Sequence, residues 1–252
     1  MSAASAPALP QTCCPTIWMW PGHAMYAGPG LGLAAHSGSV WCLVVGVDEP
    51  VTVVAAGATT VARRVLVPPR LLHQLSTRGA IVSCYFEPGS ARSESCRRQF
   101  GDTDGAVGRD HANERILTVL PHDDAAARRW LDLGAPEAEH RLDSRIEAAT
   151  KQIRDDPAAT ARTLAEAAGL SESRFLHVFR QETGTSLRRY RMWSMLMAAG
   201  ASMAAGLNLT SAAADAGFAS PSHLSDRFKS TFGLSATKLF ASGVAIRTPT
   251  GL

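Results

Sequence analysis

Between Ala161 and Phe240 the sequence says nearly the same thing twice, and an internal repeat of this kind narrows the fold before anything else is read. The segment LAEAAGLSESRFLHVFRQETGTSL (Leu164 to Leu187) returns as AAADAGFASPSHLSDRFKSTFGLSA (Ala212 to Ala236). Gly169 pairs with Gly217 at an offset of 48, while Phe179 with Phe228 and Gly184 with Gly233 pair at 49, so the one inserted residue falls in the turn. In each copy a short apolar helix, with Leu164, Ala165 and Ala168 or Ala212, Ala213 and Ala216, runs into a glycine. The missing Cβ lets the backbone turn left-handed there and end the helix. An apolar anchor follows, Leu170 or Phe218. Next come Ser171 or Ser220, hydroxyls placed to accept from the free amides of a new helix. Pro221 takes the first helical position in the second copy, where a missing N–H costs nothing. Each copy is a predicted helix-turn-helix.

The second helix of each copy separates into two faces. Phe175, Val178 and Phe179 in the first, and Leu224, Phe228 and Phe232 in the second, recur at the three- and four-residue spacing of a helix packed on a partner. The opposite face offers Ser173, Arg174, His177 and Arg180 in the first, and Ser222, Ser225, Asp226, Arg227 and Lys229 in the second. Such donors and acceptors can read base edges, and the cations can neutralise phosphates. A surface helix of any bundle is also polar outside, but two such helices in register point to nucleic acid. Charge agrees: from Arg141 onward 14 Lys and Arg face 9 Asp and Glu, a net of +5, whereas the first 140 residues carry a net of −2. Arg188, Arg189 and Arg191 form a further basic cluster.

Residues Leu142 to Phe240 resemble the DNA-binding domain of AraC/XylS-type bacterial transcription regulators, and GFASPSHLSDRFKSTFGLSATKL (Gly217 to Leu239) is similar to that family's most diagnostic segment. The resemblance implies seven helices, two helix-turn-helix units joined by a long helix (here Ser186 to Ala204, packed through Leu187, Tyr190, Met195 and Met203). Two recognition helices would then enter major-groove segments about one helical turn apart, on the order of 34 Å. By the same resemblance, base contacts fall on Ser173, Leu176 and His177 and on Pro221, Ser222, Ser225 and Asp226, with Arg174, Arg180, Arg227 and Lys229 completing the DNA-binding set. Two departures stand out. The family usually has Arg or a similar donor where this chain has Asp226, and it tends to close with Pro and a terminal Tyr-Arg where this chain has Ala236 and Phe240 followed by Ala241.

The N-terminal part reads differently. Trp41 to Val47, Val51 to Ala55, Thr60 to Val67 and Ala80 to Phe86 are rich in strand formers and separated by Gly, Pro and Asp-Glu punctuation, the pattern of a small antiparallel barrel or sandwich. Asp123 to Leu133 is predicted helical, with Trp130 and Leu131 inward. Leu142, Ile146, Ala149 and Ile153 then begin the first C-terminal helix. The stretch from Val67 through Pro68, Pro69 and Arg70 to His73, and on to Glu87, Pro88 and Gly89, resembles the cupin-like sensor domain of AraC-type proteins. Metal-binding cupins carry a His-x-His pair. Here His36 is followed by Ser37 and Gly38, so each motif supplies one imidazole, too few ligands for a metal site. Trp20, His36, Trp41, Arg70 and His73, with Trp18 and Tyr26, are candidates for an effector pocket or for the core.

Cys13, Cys14, Cys42, Cys84 and Cys96 are an odd count without a Cys-x-x-Cys, which fits reduced cytosolic thiols, with Cys13 and Cys14 a candidate redox handle on the tail. No apolar run approaches the roughly 20 residues of a membrane span. The expected organisation is a multi-domain α+β chain: a disordered tail (1–16), a cupin-like β-barrel sensor or dimerisation domain (17–134), a linker (135–140), an all-α domain with two helix-turn-helix units (141–243) and a C-terminal tail (244–252). The expected function is sequence-specific binding of promoter or operator DNA in the cytoplasm, with no cofactor. A small-molecule effector in the barrel, RNA polymerase and a second copy of the chain are the other expected partners. The alternative is a cupin-type metal-dependent enzyme carrying a DNA-binding domain. A third reading, an alkylation-repair methyltransferase, needs a four-Cys zinc site whose spacing is missing here.

Overall fold

The computed structural model describes residues 15–100, 107–109 and 117–249. Most of the expected N-terminal tail, with Cys13 and Cys14, lies outside the described residues. The chain opens on β1 (Thr16–Trp20) and β2 (His23–Pro29), followed by β3 (Trp41–Gly46), β4 (Val51–Ala55), β5 (Ala58–Ala62), β6 (Arg64–Val67), β7 (His73–Ser76) and β8 (Ala80–Phe86). Then come α1 (Ala91–Phe100), the short β9 (Gly108–Arg109) and α2 (Asp124–Gly134). The helical part is α3 (Ser144–Asp155), α4 (Ala161–Ala167), α5 (Glu172–Thr183), α6 (Leu187–Ala204), α7 (Leu209–Asp215), α8 (Pro221–Phe232) and α9 (Ala236–Ala241), after which β10 (Ala245–Arg247) returns to the strands. The expected segments at 41–47, 51–55 and 80–86 are β3, β4 and β8. The segment expected at 60–67 is two strands, because the chain changes sheets at Arg63, whose guanidinium reaches back to the carbonyls of Val47 and Asp48 at 2.7 and 3.2 Å.

One sheet runs in the order β10-β1-β2-β8-β3-β6-β9 and the other β5-β4-β7. Side chains alternate across a strand, so the continuous apolar runs of β3 and β8 feed two cores. Leu43 and Val45 point with Val82, Cys84 and Phe86 toward Trp130 and Leu131 of α2 and Cys96 of α1. Cys42 and Val44 point the other way, with Val65 and Ile81, against Val51, Val53 and Leu75 of the smaller sheet. The β-rich domain is of the expected cupin-like kind, with two sheets facing each other rather than closed into one barrel. Asp123 caps α2 by accepting from Ala126 N at 2.6 Å. The buried Arg92 holds the start of the linker to this domain, donating to Ala135 O at 2.7 Å and to Asp132 at 2.7 Å.

The helices are fastened to the strands at four points. Arg154 of α3 donates to both carboxylate oxygens of Glu87 at 2.9 Å, and the Tyr190 hydroxyl of α6 donates to the same carboxylate. Trp193 Nε1 of α6 donates to Gly22 O at 3.0 Å. Gly22 has φ 77 in the Pro21-Gly22 turn, and a Cβ there would lie 2.7 Å from the Glu87 carboxyl carbon. Residues Leu33 to Ser37 bind the end of α8, through Ala34 N to Gly233 O at 2.8 Å and Ser37 N to Ser230 O at 3.1 Å. The segment expected as a C-terminal tail supplies β10, which pairs parallel to β1, with Ile17 opposite Ile246.

Glu87 is 8% exposed, so removing its carboxylate leaves the buried Tyr190 phenol without its acceptor and frees the partly exposed Arg154 guanidinium. Glu87→Ala should lower the unfolding free energy by about 2–3 kcal/mol, and Tyr190→Phe by about 1 kcal/mol. Urea denaturation checks both; a loss below roughly 0.5 kcal/mol for Glu87→Ala would show that the joint does not rely on this cluster.

Candidate nucleic-acid interface

The repeated sequence folds as two matching units. Thr160 caps α4, which ends at Gly169 with φ 64; Ser171 Oγ then accepts from Arg174 N at 3.3 Å to start α5, which closes on Gly184 with φ 68. In the second unit Asn208 caps α7, Gly217 with φ 79 ends it, Ser220 Oγ accepts from His223 N at 3.0 Å, and α8 closes on Gly233 with φ 76. The anchors named from the sequence do the packing. Phe175 and Phe179 are fully buried, and the Phe179 ring meets Tyr190 edge-on at 5.3 Å. Leu224 and Phe218 pack on Leu196 and Ala199 of α6. The connecting helix starts after Ser186 as expected, with Leu187 and Tyr190 buried and Met195 and Met203 half-buried.

With the stripes inward, the opposite faces are free. Ser173, Arg174, Leu176, His177 and Arg180 are all exposed on α5. On α8, Ser222, Asp226, Arg227 and Lys229 are exposed, and Pro221 and Ser225 are half-buried. Arg227 Nε points at His223 Nε2, 3.2 Å away, and His223 stacks edge-on against Phe218. Among the described residues Arg174, Arg180, Asp226 and Lys229 have no ion-pair partner. Asp226 therefore does not pair with Arg227 or Lys229, its two cationic neighbours on α8. Arg188 and Arg189 are exposed in the first turn of α6. Cations at a helix N-terminus oppose its dipole, so their placement favours an external anion over helix stability.

The residues considered for an effector pocket fall in two places, His36, Arg70 and His73 together at one and Trp20 and Trp41 in a core at the other. Trp20 is buried in the core beneath α2. His36 and His73 face each other with ring centroids 4.2 Å apart; each Nδ1 lies against a carbonyl, Ala34 O at 2.8 Å and Leu71 O at 2.9 Å, so Nδ1 carries the proton and Nε2 is left as acceptor. Trp41 lies under the Arg97 guanidinium at 5.0 Å, and the exposed Arg70 sits in a turn with φ 70. Of the wider pair, Tyr26 donates to Pro29 O and Trp18 Nε1 donates to Asp124. Trp193, 1% exposed, was not among the packing residues expected from the sequence; its position three residues after Tyr190, on the same stripe of α6, was the available signal. Among the described residues no three His, Cys, Asp or Glu side chains converge as metal donors, and no helix is long and apolar enough to cross a membrane. Cys42, Cys84 and Cys96 are buried free thiols, and burial pushes Cys42 up to about 12.

Residues 164–242 match a family model described as a helix-turn-helix domain. No curated protein matches the chain. Among solved structures, the fold is similar to an apo form of a ToxT point variant from Vibrio cholerae strain SCE256, with a TM-score of 0.56 and 12% identity over 88% of this chain and 97% of that one. ToxT from Vibrio cholerae O395 gives a TM-score of 0.52 at 12% identity over 92% and 98% of the two chains. The unsaturated fatty acid bound wild-type ToxT of strain SCE256 gives 0.51 at 12% identity over 92% and 96%. At that identity the likeness is one of fold.

Burial pulls His36 down from 6.5 to about 4 and His23 from 6.5 to about 3, the latter also facing Arg92 and Arg154, and it lowers His73 as well. The unfolded chain binds protons on these rings first. Their contribution is therefore complete above pH 6.5 and is lost as pH falls from 6.5 toward about 4. The thermal midpoint should drop across that window, and drop less in His36→Gln; an equal drop in the two proteins would show that His36 is not buried neutral.

Proposed function

We infer that this chain is an AraC-type transcription regulator that reads duplex DNA with α5 and α8 and is switched by a small molecule held between its two domains, a reading supported by its helix-turn-helix domain and two-domain fold. The observation that carries the reading is the pair of matched units, each with its apolar stripe buried and its polar face unobstructed. Ser173, His177, Ser222 and Ser225 supply hydrogen-bonding groups for base edges, while Arg174, Arg180, Arg188, Arg189 and Lys229 supply phosphate contacts. Asp226, which forms no ion pair among the described residues, suits a cytosine N4 donor. Two reading helices on one chain bind without a second copy, so the operator needs no palindrome. Contact with RNA polymerase and dimerisation add to this reading without being required by it.

The effector reading rests on the joint. Trp193 of α6 lines two cavities against the β-rich domain, and Phe228 and Phe232 of α8 line the smaller of them, so an occupant touches α6 in either and α8 in the smaller. One of the ToxT structures of similar fold carries an unsaturated fatty acid, which supports an amphipathic small molecule as the class of effector here.

Selection of bound sequences from random duplex DNA should enrich two short blocks separated by about one helical turn. No enrichment by well-folded protein, with and without cell-extract small molecules, would sink the reading. His177→Ala should weaken binding to the enriched site by about 1–3 kcal/mol with little effect on random DNA. Asp226→Arg should strengthen random-DNA binding and steepen its salt dependence by about one unit of slope; unchanged salt dependence would place Asp226 away from phosphate.

A further inference from the structure

The smaller cavity at the joint, of about 100 Å³, lies between β1, β2 and β8 on one side and α6 and α8 on the other. A cavity of roughly 150 Å³ holds one benzene ring, so this one has room for about four or five heavy atoms. Its wall is accessible. Ile17, Met197, Met203, Phe228, Phe232 and Ile246 are each half-buried, with surface left for an occupant to cover, and Phe240, 37% exposed, brings the lining out to solvent.

Charge is missing from this wall. Among the described residues no Asp, Glu, Lys, Arg or His side chain lines it. A carboxylate or ammonium that entered would give up its hydration without meeting a counter-ion, a larger cost than a few apolar contacts return. Most of the polar groups at the wall are already engaged: Trp193 Nε1 donates to Gly22 O at 3.0 Å, the Tyr26 hydroxyl donates to Pro29 O at 2.8 Å, and the Tyr85 hydroxyl is bonded to the Cys42 thiol. Ser83 is the exception. It sits in β8 between Tyr26 and Val44 and is 5% exposed, its Oγ has no partner among the described residues, and unlike the sealed Ser194 Oγ it keeps surface open to the cavity. One polar atom holds water poorly, since a buried water needs about two to four partners. A molecule with a single hydroxyl or carbonyl satisfies Ser83 and sets carbon against everything else.

We propose that this cavity binds a small uncharged molecule carrying one hydroxyl or carbonyl group, with Ser83 as its hydrogen-bond partner, and that it rejects carboxylates and amines of the same size. This rests on the reading of the joint as the effector site and names the effector's chemistry: amphipathic without being ionised. A free fatty acid, of the kind carried by one ToxT structure, would find no counter-ion in this wall. The occupant touches β8 through Ser83, α6 through Met197 and Met203, α8 through Phe228 and Phe232, and β10 through Ile246. It therefore bridges the larger sheet and the second helix-turn-helix unit.

The test uses full-length protein with methyl-labelled Ile and Met, titrated with 1-butanol, butylamine and butyrate and, separately, placed under xenon, with NMR and thermal shift as readouts. 1-Butanol should bind saturably, move the methyl signals of Ile17, Met197, Met203 and Ile246, and raise the thermal midpoint; butylamine and butyrate should bind at least tenfold more weakly. Ser83→Ala should weaken 1-butanol at least threefold and leave xenon, which needs no hydrogen bond, bound as before. Ala24→Leu, which fills the cavity from a half-buried lining position, should abolish binding of both in a folded protein. No saturable binding of 1-butanol, binding of butyrate or butylamine as tight as that of the alcohol, shifts confined to other methyl groups, undiminished 1-butanol binding by Ser83→Ala, or binding that survives Ala24→Leu would each overturn the proposal. The two readings fail separately. Preference for butyrate or butylamine at the same methyl groups would refute the uncharged ligand and leave the joint as an effector site, whereas saturable 1-butanol binding with unchanged DNA affinity would refute the switch and leave this site standing.

Discussion

β3 and β8 carry apolar side chains on both faces, and a sheet of that kind is stable only when both faces are covered. One face is closed by α1 and α2. The other is closed partly by the small second sheet and partly by elements of the helix-turn-helix domain: Leu234 and Leu239 with the half-buried Phe228 and Phe232. The requirement to cover that face binds the two domains into one unit. Phe228 and Phe232 serve two cores at once, that of the second helix-turn-helix unit and that of the sheet. A helix whose own stripe is shared with another domain cannot be repositioned without disturbing that domain, and that sharing is a route by which a ligand and DNA would be coupled.

The polar contacts at the joint work in the same direction. Glu87 sits at the end of β8, with Arg154 from the helix before the first unit and Tyr190 from the helix between the units. A partly buried charge cluster of this kind adds less net stability than its contacts suggest, because desolvation of Glu87 offsets the attraction. Its contribution is geometric: the cluster forms in one relative placement of α3, α6 and the sheet. Trp193 bonded to Gly22 and β10 paired with β1 fix the same placement from other sides. The cavities lie among these contacts, where a small occupant meets both domains.

Much of the DNA-reading half was legible because its signals are local. Gly169 and Gly217, Ser171 and Ser220, and Pro221 act within a turn or two of their own positions, and the three- and four-residue spacing of Phe175, Val178 and Phe179 identifies the buried stripe without reference to any other element. The β-rich half was legible only in part. β3, β4 and β8 announce themselves by apolar runs. β1, with two tryptophans and a methionine, and β2, with Gly and His, do not, and α1 has too few apolar residues to declare a buried face. The grouping of Trp20, His36, Trp41, Arg70 and His73 as pocket candidates rested on residue type alone. The fold divides them into two groups, His36, Arg70 and His73 in one and Trp20 with Trp41, under Arg97, in the other.

The sequence by itself determined the two helix-turn-helix units, their caps, the stripe each buries and the polar face each leaves free, because these follow from interactions between residues three or four apart. The tertiary structure decided where those faces are held and what lies behind them. Arg154 meets Glu87 across 67 residues, and Trp193 meets Gly22 across 171. β10 adds to a strand near the other end of the described chain. No periodicity encodes contacts at such separations. They arise when a sheet with two apolar faces finds what will cover the second one.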